Sequence, residues 1–69
     1  MSDLGDQDLI GKMGFISIPI SVDKPGEVII QVRGGSEAFT AISDEPIAKH
    51  SQVVIVDKLS ARTVMVTKF

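Results

Sequence analysis

Hydrophobic and polar positions alternate with a period of two through most of the chain, and the clearest case lies at its centre. Residues 27–33 (Glu-Val-Ile-Ile-Gln-Val-Arg) and 36–43 (Ser-Glu-Ala-Phe-Thr-Ala-Ile-Ser) read as two strands joined by Gly34-Gly35. β-Branched and aromatic residues fill both arms, and two glycines supply the positive φ angles that a tight hairpin turn demands. Val28, Ile30 and Val32 share one face, expected to point inward. In the second arm the sets Ala38/Thr40/Ile42 and Glu37/Phe39/Ala41 alternate, and the pattern leaves open which of them faces the core.

Before the hairpin, residues 15–22 predict a first strand, with Ile16, Ile18, Ile20 and Val22 on one face. Pro19 has no N–H to give to a ladder, so this strand is expected to be at an edge, bulged or broken there. Asp23-Lys24-Pro25-Gly26 predicts a turn, with proline presetting φ and glycine accepting a positive φ after it. After the hairpin, Asp44-Glu45-Pro46 ends the strand, and residues 47–51 form a connection too short for a stable helix. Residues 52–58 predict a fourth strand that is apolar on both faces. Leu59 to Arg62 turn the chain, and residues 63–69 predict a fifth strand. Residues 1–9 are polar, acidic and aperiodic, which predicts a flexible lead-in before a domain spanning 10–69.

Five short strands joined by tight turns predict an all-β fold, a small five-stranded OB-like barrel. An SH3-like barrel is the nearest rival, and periodicity does not separate the two. Size favours closure. Sixty-nine residues without cysteine have no disulfide to lean on, so the 43% apolar content must be packed efficiently. A barrel wraps one sheet around its own core and hides its edges.

Charge narrows the function. Seven basic and nine acidic residues give a net charge of −2, with the cations scattered among the acids. Nucleic-acid binders usually carry a basic face, and OB folds that bind single strands stack bases on exposed aromatics. Phe15, Phe39 and Phe69 are the aromatics here, without Trp or Tyr. Oligonucleotide binding is therefore the second reading. Ser43, Asp44, His50 and Ser51 are the residue types of a hydrolase, but turns collect such residues in any case, so no enzyme is expected. A single histidine without companions at ligand spacing predicts no metal, and nothing predicts a cofactor. Asp57-Lys58 resembles the hairpin that displays a modified lysine in lipoyl domains. The chain after Lys58 is too short for such a second half-barrel, so a hairpin with charges at its tip is the expectation. No run is long and apolar enough to span a bilayer, and the N-terminus lacks the positive start and apolar core of a signal peptide.

Ile10-Gly11-Lys12-Met13-Gly14 is an Ile/Leu-Gly-Lys-x-Gly opening, and Pro25-Gly26-Glu27-Val28 is a Pro-x-Gly-x-Val type of turn and strand. Ile47-Ala48-Lys49-His50-Ser51-Gln52-Val53-Val54-Ile55 follows an Ile-x-Lys-Gly-x-x-Val-x-Val pattern, with His50 in place of glycine. His50 fits that place in a left-handed conformation, which histidine adopts more readily than branched residues do. In this order, over residues 10–69, the chain resembles the soluble C-terminal domain of the NfeD family. The resemblance implies an OB-fold barrel carried behind transmembrane helices, with stomatin- or flotillin-like membrane proteins as partners. It further implies a role in membrane protein quality control or membrane organisation. Another copy of the chain is the alternative partner expected for such an interaction module. The Clp-like serine protease domain of longer members does not fit into 69 residues, so no protease activity is expected. Both strand one and strand two leave apolar residues pointing outward, and an exposed apolar patch often marks an interface. Phe15, Pro19, Ile29 and Phe39 are the expected contact residues.

Overall fold

The computed structural model describes residues 9–32 and 34–69. Its elements are β1 (Met13–Ile18), β2 (Gly26–Val32), β3 (Gly35–Ile42), β4 (Gln52–Ser60) and β5 (Thr63–Lys68). They close into a barrel in the order β1-β2-β3-β5-β4, with β4 returning to β1. Every ladder is antiparallel except β3–β5, which runs parallel through Thr40↔Thr63, Ala41↔Val64 and Ile42↔Met65. This order decides between the two barrels left open by periodicity, in favour of the OB-like one. Residues 1–8 of the expected lead-in, and Arg33, lie outside the described residues; Leu9 is buried against the core.

The inward set is Ile16 and Ile20 from the first arm, Val28 and Ile30 from β2, and Phe39 and Ala41 from β3. Val53, Ile55, Val64 and Val66 complete it from β4 and β5. Val32 packs partly against this cluster, so the expected facing of β2 is correct. Burial of Phe39 and Ala41 answers the question that alternation left open in β3.

The first strand departs from its expected pattern. Ile16 pairs with Val28 but Ile18 pairs with Glu27, so Ser17 is an extra residue, a β-bulge. A one-residue insertion inverts the facing of every residue beyond it in the strand. Ile16 is therefore buried while Ile18 is 52% exposed, and the single apolar face expected from Ile16 to Val22 does not exist. The bulge is pinned from the side: Ser17 Oγ donates to Glu27 Oε1 at 2.6 Å. The ladder ends before Pro19, as its missing N–H requires. Ile20 turns inward again and bridges Ile47 through two reciprocal backbone bonds, Ile20 N to Ile47 O and Ile47 N to Ile20 O, each 2.9 Å.

Three turns also differ from expectation. The tight reversal after β1 is Val22-Asp23, closed by the Ser21↔Lys24 bridge, and Gly26 is not in the positive-φ region. Gly26 is needed because the carbonyls of Ile18 and Pro19 occupy the space of a side chain. In the central hairpin Val32 pairs with Gly35, so Gly35 opens β3 and Gly34 alone of the two glycines has positive φ, 84°. The last hairpin turns at Ala61-Arg62, which places Asp57 and Lys58 within β4 and not at the tip. Bulges at Val56 and Leu59 carry β4 two residues further than its pattern suggested. His50 sits at φ 75° with its amide donating to Ile16 O at 2.7 Å, the left-handed turn expected of it.

Candidate interaction surface

The outer surface of β1 and its neighbours carries a row of cross-strand partners. Ala38 pairs with Ile29, Ile29 with Phe15 and Phe15 with Gln52. Paired residues of antiparallel strands project from the same face, so these side chains stand side by side across four strands. The Phe69 amide donates to Gln52 O at 3.1 Å, which extends the row to the end of β5. One step along, Met13 pairs with Val54. Phe15 is 56% exposed, Met13 37% and Phe69 78%, with Ile29 and Val54 half-buried between them. The bulge at Ser17 does not interrupt this patch, because it falls after Phe15.

Of the four expected contact residues, the fold brings Phe15 and Ile29 together as direct partners. Pro19 is exposed, but lies beyond the bulge at the end of the barrel. It does not line the open depression at that end, which is formed by Ile20, Val22, Pro25 and Ile42 together with the polar Ser21, Asp23, Lys24 and Ser43. Phe39 is corrected. It is 5% exposed and belongs to the core, because β3 turns its odd residues inward, and Arg62 covers its ring with the guanidinium carbon 4.7 Å from the centroid. Met13 and Val54 were not among the expected contacts. Period-two spacing from Phe15 and the two-faced apolarity of strand four were the signals that point to them.

Of the polar residues singled out as a hydrolase set, Ser43 bonds to the backbone through its side chain, and His50 and Ser51 bond through their main chains. Ser43 Oγ accepts the Glu45 amide at 3.2 Å, and the His50 and Ser51 main chains bond to Ile16 on β1. Asp57 Oδ1 accepts the amide of Lys58 at 2.8 Å. Among the described residues no group of three His, Asp or Glu side chains is placed to hold a metal. No helix among them is long and apolar enough to cross a membrane.

A closed five-stranded barrel in OB order, with an apolar row on its outer surface, defines a small all-β barrel domain. Residues 13–67 match the family described as NfeD C-terminal domain, and the chain belongs to that family. The fold is similar to the solution structure of the soluble domain of the NfeD protein YuaF from Bacillus subtilis. That likeness has a TM-score of 0.76 and 32% identity, over 88% of this chain and 74% of that one. It is also similar to the C-terminal domain of stomatin operon partner protein 1510-C from Pyrococcus horikoshii. There the TM-score is 0.71 at 26% identity, over 97% of both chains. No curated protein matches the chain in sequence.

Proposed function

We propose that this barrel is a non-catalytic protein-interaction domain that docks a stomatin- or flotillin-type membrane scaffold protein through the row centred on Phe15 and Ile29. The observation that carries the reading is that pair: two large apolar side chains, opposed across a ladder and left on the outside of a closed barrel. Support for the partner class comes from the similarity to a domain named for a stomatin operon partner. In this reading transmembrane helices outside the chain hold the domain at a membrane surface, where it serves membrane protein quality control or membrane organisation. The OB-type alternative, single-stranded nucleic acid, is the weaker reading. On the face that carries Phe15 and Ile29, Glu27 precedes Ile29 at the two-residue period of β2, and its carboxylate repels a phosphate backbone.

The test is capture of the full-length product from native membranes in mild detergent, with wild-type and Phe15→Asp proteins compared. Recovery of a stomatin- or flotillin-class protein with wild type, and its loss with Phe15→Asp at unchanged thermal unfolding, is expected. Equal recovery with both proteins removes the Phe15 row as the docking surface. Tight binding of single-stranded DNA in low salt, with no such protein recovered, replaces this reading by the alternative.

A further inference from the structure

β3 begins at Gly35, yet its parallel neighbour β5 covers only Thr40, Ala41 and Ile42. The Thr40 amide donates to Arg62 O at 2.8 Å, and Ala38 O accepts Arg62 Nη2 at 2.6 Å. Even-numbered residues of β3 therefore turn their backbone groups away from β2. By strand alternation Ser36 does the same, so Ser36 and Ala38 present N–H and C=O to a side where β5 does not reach.

Arg62 occupies part of that side. Besides bonding Ala38 O, its guanidinium lies over the Phe39 ring at 4.7 Å, and Nη1 stands 3.9 Å from Glu37 Oε1. An antiparallel strand added here would exchange bonds with Ser36 and Ala38, bringing its own N–H to the Ala38 carbonyl. Its middle residue would stand opposite Glu37, with Cα atoms about 4.5 Å apart. A lysine or arginine at that position would meet the same carboxylate and the same ring.

The geometry points to an autoinhibited strand-acceptor edge: residues 36–38 of β3 take an extended, basic segment of a partner protein, and Arg62 holds its place until the partner arrives. Charge selects this occupant over a second copy of the chain. Two β3 edges paired about a two-fold at residue 37 would set Glu37 against itself, a directly opposed like-charge pair. Arg62 and Glu37 are 62% and 50% exposed, so the internal contact is weak enough to be displaced. This edge meets the Phe15 row at Ala38, whose side chain ends the row while its backbone faces the edge.

The experiment is an amide NMR titration with a capped Val-Thr-Lys-Thr-Val peptide, on wild type and on Arg62→Ala. Binding is expected to shift the Ser36 and Ala38 amides and to slow their hydrogen exchange, with Arg62→Ala binding about tenfold tighter than wild type. A peptide with glutamate in place of lysine is expected to leave both amides unmoved. Should Arg62→Ala not fold, wild type at millimolar peptide must show the same two amides moving, reduced by Glu37→Gln. Absence of those shifts in every folded protein overturns the proposal and leaves Arg62 as an edge guard alone. Concentration-dependent dimerisation of Arg62→Ala, with Ser36 and Ala38 protected and no peptide present, overturns the assignment of the occupant.

Discussion

Gly26 packs against the main chain of Ile18 so closely that the Ile18 carbonyl oxygen stands where a Cβ would be, with Pro19 O only 2.7 Å from the same point. Two segments separated by the Pro19 break are thereby drawn together at the end of the barrel. A methyl group at residue 26 must push both carbonyls away, and backbone has little freedom to yield. Gly26→Ala is expected to cost about 3 kcal/mol or more. Urea unfolding followed by circular dichroism checks it, and a loss under about 1 kcal/mol would mean that the loop relaxes freely.

Phe15 and Phe39 provide an internal control for which aromatic is core. Phe39→Ala removes a buried ring and is expected to cost about 3–5 kcal/mol. Phe15→Ser alters a largely exposed side chain and is expected to stay within about 0.5 kcal/mol. The same unfolding measurement on both variants tests the facing of β1 and β3 together. A reversed ranking would contradict the observed burial of 5% for Phe39 and 56% for Phe15.

His50 holds a left-handed turn at φ 75° that glycine adopts without strain. Relief of that strain outweighs the extra chain entropy of glycine, so His50→Gly is expected to stabilise by about 0.5 kcal/mol. His50→Val, branched at Cβ, is expected to lose about 1–2 kcal/mol. Thermal melts of the two variants should move in opposite directions, and melts that move together would show that the ring, and not the backbone, decides this position.

Ile47 lies outside the five strands yet is 1% exposed, and it carries both backbone bonds of its bridge to Ile20. It is the plug that fastens the long β3–β4 connection over the core. Ile47→Ala is expected to cost about 2–5 kcal/mol, as for any large-to-small change in a core. Hydrogen exchange adds a local check: the Ile20 amide should lose protection more than the Val28 amide does. Equal loss at both would mean that the connection unfolds only with the whole barrel.

Strand number, order along the chain, the inward face of β2 and the left-handed place of His50 were all legible in the sequence. Each rests on local chemistry, the two-residue period of a pleated strand and the φ preferences of turn residues, and neighbours far along the chain do not alter them. Phe15 and Ile29 were legible as outward residues for the same reason. What local pattern does not carry is register. A bulge at Ser17 is invisible in the alternation of Ile16, Ile18 and Ile20, because it is stabilised by Glu27, ten residues away. The role of Gly26 depends likewise on where the Ile18 carbonyl comes to lie, and the burial of Phe39 on which face of β3 meets β5 and Arg62. The pairing of Phe15 with Ile29 into one surface, and the stretch of β3 that β5 does not cover, arise only when the barrel closes. Closure fixes which residues of each strand pair with which neighbour, and that is a property of the assembled sheet, not of any segment within it.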